Sequence, residues 1–269
     1  DPVLLETQVK LAEAIGFDSF VYLYHGDTLA QQEVLQGREP LNAETYAALL
    51  DVCDGPKRSL KVAVMYEPKV HFNGWVSGEP SKAAKLAGIQ HDLEHLVTTY
   101  GGRKSVLRHD GELVVFVFRN DVCDAGGTQC LNDADWLALA AGVELSTGEA
   151  LFLVADVPPG PTSAFGGLSR WHLVALELLR YGTFQAALAS VSSTPQPALS
   201  ALQSHADTIN AVATTWAAAK PGRVAVALAW PGFDDSGVAG WGGGNFTGAN
   251  GQPVCVRVAS DFGGEFFST

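Results

Sequence analysis

Apolar and polar positions along the chain alternate between two periods. Over 3–15 (VLLETQVKLAEAI), Leu4, Leu5, Val9, Leu11, Ala12 and Ile15 recur near helical spacing, and Gly16 closes the segment. The stretch 17–24 (FDSFVYLY) then turns to aromatic and β-branched residues, the pattern of a strand. A second helix is expected over 43–51, followed by an apolar run at 60–66 (LKVAVMY) that Pro68 stops. Helical spacing returns over 81–100, with Ser81 placed as its cap. Asp110-Gly111 marks a turn into the strand 113–118 (LVVFVF), and a helix near 133–141 leads to the strand 151–157 (LFLVADV). The region 168–190 fits helix and strand equally. A helix over 204–219 ends at Lys220-Pro221-Gly222 and precedes the strand 223–230 (RVAVALAW). The Gly-rich stretch 236–251 reads as a long loop before extended sequence at 254–258.

Strands that are nearly continuous apolar runs, each separated by a helix, belong to a parallel sheet covered on both faces. Five such strands stand out, with a sixth near 172–179. The expected fold is therefore α/β, of the (β/α)8 TIM-barrel type but incomplete, in a single domain spanning 1–269. An open doubly wound sheet is the alternative, but no strand end carries the GxGxxG turn or Walker lysine that usually accompanies it.

Composition narrows the partners. With 17 Lys+Arg against 29 Asp+Glu, the net charge of -12 repels phosphate backbones and anionic lipid, so no nucleic-acid or membrane-surface partner is expected. No run approaches the roughly 20 apolar residues of a membrane span. The opening Asp1-Pro2-Val3 has no signal-peptide pattern. Four cysteines are present, of which Cys123 and Cys130 bracket a short Asp-Ala-Gly-Gly-Thr-Gln segment suited to a disulfide ring, two unrelated thiols being the alternative. Cys53 and Cys255 have no evident role. Asn245-Phe246-Thr247 is a glycosylation sequon. The ring and the sequon together point to the secretory pathway or the extracellular space.

In either parallel architecture, working residues gather at the carboxyl ends of the strands. Those ends supply Tyr24, His25 and Asp27, then Glu67, then Arg119-Asn120-Asp121 and Asp156, and finally Trp230, Asp234 and Asp235. Carboxylates mixed with aromatics suit a sugar, because ring faces stack on pyranose C–H surfaces while carboxylates accept hydroxyl hydrogen bonds. Each residue also has a structural reading, His25 as a turn histidine and the two aspartates as turn formers. Trp171 and Trp216 fit the core; Trp230 and Trp241 fit stacking. His91 and His95 lie four apart on a helix with Glu94 between them, but a surface helix is favoured over zinc because no third ligand is evident. No metal is expected, and no GxSxG nucleophile elbow is present.

Taken in order, these segments resemble glycoside hydrolase family 99, the endo-α-1,2-mannosidases and their mannanase relatives. DPVLLETQVKLAEAIGFDSFVYLYHGD looks like the family's AGIDGFVVSWYG-type helix and second strand. KVAVMYEPKV is similar to its KVAFHIEPY segment, with Glu67 on the motif's carboxylate. IQHDLEHLVTTYGG and VLRHDGELVVFVF follow the helix ending in TYG and the GKPLFYIYD-like strand. AWPGFDDSGVAGW resembles PGYDDT…RPW, with Phe233 in place of tyrosine, and FGGEFF resembles NGKYY.

The resemblance implies a barrel lacking its first and last strands here, because the family's YYPWY-like first strand lies before this sequence. Its catalytic pair sits in an NEWHE-like motif on the eighth strand, after this sequence, so no residue here is assigned as either catalytic glutamate and the catalytic residues stay unknown. It further implies retention of configuration through a 1,2-anhydro sugar, no cofactor, and α-linked mannosides or related glycans as ligands. Further polypeptide is expected to cover the two barrel edges that would otherwise stay open. Two functions follow: an endo-α-mannosidase-like glycoside hydrolase, or a non-catalytic extracellular structural or glycan-binding protein reusing the barrel.

Overall fold

The computed structural model of this 269-residue chain describes residues 2–160, 162–169, 207 and 210–226, together with 246–247 and 253–254 as short strands. Its contacts group into two units, the first spanning Asp1–Leu168 with Gly222–Val224 and the second Ser169–Pro221 with Ala225–Thr269.

The first unit alternates helix and strand: α1 (Pro2–Ala14), β1 (Ser19–Tyr24), α2 (Asp27–Leu35), α3 (Leu41–Cys53), β2 (Lys61–Tyr66), α4 (Lys69–Phe72) and α5 (Lys82–Tyr100). There follow β3 (Arg108–His109), β4 (Glu112–Val117), α6 (Asp133–Thr147), β5 (Leu151–Ala155) and β6 (Gly167–Ser169), and later β7 (Val224–Val226). The main sheet runs β1-β2-β4-β5-β6-β7, with β3 beside β4. β1–β2, β2–β4, β4–β5 and β5–β6 are all parallel, and Val224 donates its N–H to the Gly166 carbonyl at 2.8 Å. This is the α/β, barrel-type sheet expected, and it is incomplete: among the described residues β1 pairs with β2 alone, and no strand closes the sheet.

Local sequence explains each element. β2 and β5 carry almost wholly apolar runs because both faces are covered, and every residue of Val62–Tyr66 and of Leu151–Ala155 is buried. β1 is covered on one face. Tyr22 and Tyr24 pack their rings 5.4 Å from Tyr46 of α3, whereas Val21 and Leu23 on the opposite face remain exposed. Ser81 caps α5 by accepting from the Ala84 N–H at 3.2 Å. Asn132 and Asp135 form a capping box that starts α6, and Gly148 closes it in the left-handed conformation. Asp110 (φ 50°) and Gly111 (φ 92°) supply the two positive φ angles of the tight turn joining β3 to β4.

Some expectations change. α6 runs to Thr147, beyond the 133–141 stretch that the spacing suggested, and α2 occupies a segment with no clear apolar stripe. α2 buries only Leu29 and Ala30, Leu29 packing with Val70 and Val76, and is also tied by hydrogen bonds to Asp92 and Ser77. A strand at Gly167–Ser169 was not expected from the sequence, and the strand expected near 172–179 lies outside the described residues.

In the second unit, a helix covers 210–218 with Ala213 buried, and β8 (Phe246–Thr247) pairs antiparallel with β9 (Pro253–Val254). The stretch 236–251 thus contains a short strand where a loop was expected. Among the described residues no helix is long and apolar enough to cross a membrane.

Candidate functional site

Parallel pairing carries β1 and β2 to the same level, Tyr24 beside Tyr66, and the ladder continues one step as the Glu67 N–H donates to the Tyr24 carbonyl at 3.1 Å. The two strand-end turns, His25-Gly26-Asp27 and Glu67-Pro68, therefore lie side by side. Their side chains meet: His25 Nε2 stands 3.4 Å from Glu67 Oε2. Glu67 is 8% exposed, so its carboxylate sits at the floor of the strand ends with a small opening to solvent. His25 is fixed from behind, its N–H donating to Asn42 Oδ1 at 2.9 Å while Asn42 Nδ2 donates to the Leu23 carbonyl at 2.8 Å. The His25 ring also meets Trp75 edge-on, with centroids 5.7 Å apart at 83°.

A buried polar network locks these two turns. Asp92, fully buried on α5, accepts from the Thr28 N–H (2.7 Å) and Thr28 Oγ1 (2.6 Å) in the first turn of α2. Its other oxygen accepts from Tyr66 Oη at 2.9 Å and lies 2.9 Å from His71 Nε2. His71 Nδ1 faces both Glu79 oxygens, at 3.0 and 2.9 Å. An imidazole between two carboxylates donates to both only as the imidazolium. Burial of His71 works against that charge, but the hydrogen bond and charge of Asp92, joined by Glu79, outweigh it and raise the pKa. Burial raises the Glu79 carboxyl in turn, with His71 opposing. Tyr66 is pushed well above the usual phenol range by burial and by Asp92, so it stays a neutral donor. Gly26 has no room for a side chain: a Cβ there would lie 2.0 Å from Asp92 Oδ2, and its φ of 94° disfavours any other residue.

The predicted residues divide. His25 and Glu67 come together in the opening. Tyr24 does not line it. It is wholly buried because alternation along β1 turns it toward Tyr46, its hydroxyl has no hydrogen-bond partner among the described residues, and burial raises its pKa. Asp27 turns toward α5, where His91 Nε2 and His95 Nδ1 lie 3.2 and 3.5 Å from its Oδ2, and Gln31 also donates to it. The two histidines singled out for their spacing thus acquire an acidic neighbour. Even so, among the described residues no group of three or more His, Cys, Asp or Glu is placed to hold a metal ion. Trp230, Asp234, Asp235 and Asn245 lie outside the described residues, as do Trp171, Trp241 and Cys255.

Farther along the strand ends, Asn120 acts as a clamp. Its Oδ1 accepts from the N–H groups of Asp156 (3.1 Å) and Val157 (2.7 Å), and its carbonyl accepts from Trp136 Nε1 at 2.8 Å. Asp156 is 2% exposed and accepts from the Arg119 N–H at 3.3 Å. Cys123 and Cys130 form the expected disulfide, around a loop organised by Asp124, whose carboxylate accepts from the N–H groups of Thr128 and Gln129. Cys53 is a buried free thiol, pushed up to about 11 chiefly by burial, and so stays protonated. Trp75 and the Asp92 network escape a reading of the strand ends, since neither lies on one.

A parallel sheet of this order, alternating with helices, has the architecture of an incomplete (β/α) barrel. Solved structures share that fold. The chain is similar to a glycoside hydrolase-like protein with a TM-score of 0.53 at 11% identity, over 88% of this chain and 65% of that one. It is likewise similar to the GH99 endo-alpha-mannosidase from Bacteroides thetaiotaomicron, with a TM-score of 0.51 at 16% identity, over 100% of this chain and 65% of that one. At such identities the likeness is one of fold, and the chain spans about 65% of the length of each. No family model and no curated protein matches the sequence.

Proposed function

We propose that this chain forms one wall of the sugar cleft of an endo-α-mannosidase-like glycoside hydrolase, acting with retention on α-linked mannosides or related glycans. The observation that carries the reading is the His25–Glu67 pair, set at the carboxyl ends of adjacent parallel strands, with Glu67 nearly buried and His25 partly open to solvent. In barrels of this architecture that end of the sheet is where substrates are handled. A nearly buried carboxylate beside an imidazole suits a sugar hydroxyl: the carboxylate accepts its proton in a hydrogen bond, and the histidine offers a second donor or acceptor. The net charge of -12 favours a neutral glycan over an anionic one.

The reading extends to Trp230, Asp234 and Asp235 as further sugar-binding residues, which lie outside the described residues. The acid/base pair is supplied by polypeptide outside these 269 residues, which also completes the barrel. The disulfide and the Asn245 sequon accord with a secreted glycoprotein.

The test is hydrolysis of an α-1,2-linked mannoside by the full-length protein, wild type against Glu67→Gln. Loss of about two orders of magnitude or more in kcat/KM, roughly 2.7 kcal/mol or more of transition-state stabilisation, supports the reading. Unchanged turnover removes Glu67 from the site. A wild-type protein that binds the mannoside without cleaving it favours the non-catalytic glycan-binding alternative.

A further inference from the structure

Beside the His25–Glu67 pair stands an indole that no strand-end reading includes. Trp75 is 52% exposed, yet the segment that follows it is tied down. Val76, the next residue, is 3% exposed and packs with Leu29 and Val70, and its N–H donates to the Val70 carbonyl at 3.1 Å. Ser77 is clamped to α2: its N–H and Oγ donate to Gln32 Oε1 at 2.9 and 3.1 Å, while Gln32 Nε2 donates to the Ser77 carbonyl at 3.1 Å. Two residues on, Glu79 is held by His71, and its carbonyl accepts from Lys85 Nζ at 2.9 Å. A large apolar side chain on a loose loop could fold back onto the protein. Here the backbone on its C-terminal side is pinned, and the ring stays half exposed, perpendicular to the His25 imidazole.

We propose that Trp75 is the stacking platform of a neutral-pyranose subsite, whose polar wall is Glu67 and His25. The inference rests on the sugar-cleft reading above and adds to it the residue and the ligand class. The exposed indole face takes the apolar C–H face of one sugar ring. The Glu67 carboxylate, across the single imidazole that touches both residues, accepts a hydroxyl of the same or the adjoining ring. Because the tethers hold the indole in place beforehand, binding costs little further ordering. Glu67 and the acidic surface select against uronic acids and sulfated sugars, whose charge would meet a carboxylate in a poorly solvated setting.

The experiment uses the full-length protein and α-1,2-linked mannotriose as the probe, with affinity measured by titration calorimetry for wild type, Trp75→Ala, Trp75→Phe and Glu67→Gln. Circular dichroism and melting temperature check that each variant is folded. The expected result is a loss of about tenfold or more for Trp75→Ala with Trp75→Phe within about threefold of wild type, on a tenfold scale of 1.4 kcal/mol. Wild-type affinity in Trp75→Ala, with Glu67→Gln still impaired, overturns the platform and leaves the cleft reading intact. Absence of saturable binding of any neutral mannoside to the wild type overturns both.

Discussion

Replacing Asp92 by asparagine should be among the most damaging conservative changes in the first unit, and its cost can be worked from the contacts. The side chain is wholly buried and has four hydrogen-bonding neighbours: the Thr28 N–H, Thr28 Oγ1, Tyr66 Oη and His71 Nε2. Asparagine can keep its carbonyl oxygen toward Thr28, so those two bonds survive. Its NH2 group then faces the Tyr66 hydroxyl and the His71 N–H, both donors toward Asp92. The cationic imidazole also loses one of its two counter-charges in a buried setting. Breaking a buried pair by removing one partner costs about 3–5 kcal/mol, a large share of the 5–15 kcal/mol that typically holds a domain together. Thr28→Ala, which removes one hydroxyl donor and leaves the N–H bond, should cost only about 1 kcal/mol. Urea denaturation of the full-length protein, followed by far-UV circular dichroism at pH 6, measures both. An Asp92→Asn loss below about 1 kcal/mol, or one no larger than that of Thr28→Ala, would refute the view that this carboxylate binds the two strand-end turns together.

Three further outcomes follow from the same contacts. Gly26→Ala places a methyl against Asp92 Oδ2 at a φ of 94°, so it should destabilise by about 2 kcal/mol or more, whereas Gly37→Ala, at a φ of 71° with open space around it, should show the backbone strain alone; a melting-temperature comparison separates clash from strain. His71 has a raised folded pKa, so its stabilisation is complete below its unfolded value near 6.5 and is lost as pH rises through the folded value; unfolding free energy should fall with pH above about 6.5, and Asp92→Asn should flatten that slope. Joint replacement of Cys123 and Cys130 by serine opens a ring with a sequence separation of 7 and should cost about 2–3 kcal/mol by loop-closure entropy, with the loss confined to the 121–131 segment in hydrogen exchange.

How much of this was legible beforehand depends on how local each signal is. β2, β4 and β5 announce themselves because a strand buried on both faces must be apolar throughout, and Ser81 and the Asp110-Gly111 turn are decisions made within four residues. The His25–Glu67 neighbourhood was also legible, since adjacent parallel strands deliver their ends to the same place. α2 was not, because it has no apolar stripe of its own and its ties come from distant residues, Asp92 at Thr28, 64 residues away, and Val70 and Val76 at Leu29. Strand-end position alone misled at Tyr24: a strand-end aromatic looks like a cleft residue, but alternation along β1 turns it toward Tyr46 on α3. Asp27 was read as a cleft carboxylate for the same reason, and it is claimed by His91 and His95 of α5. Trp75 carries no periodic signal, and its exposure is decided by the tethers of Val76, Ser77 and Glu79.

In the proposed function, the strand ends of β1 and β2 hold a neutral sugar through Glu67. Titration of α-1,2-linked mannotriose into the full-length protein, beside a matched titration into folded Glu67→Gln, measures that contact. Saturable one-to-one binding is expected for the wild type, with a loss of at least about tenfold in the variant, the scale expected when a charged hydrogen-bond acceptor is removed. Equal affinity in the two proteins would remove Glu67 from sugar binding.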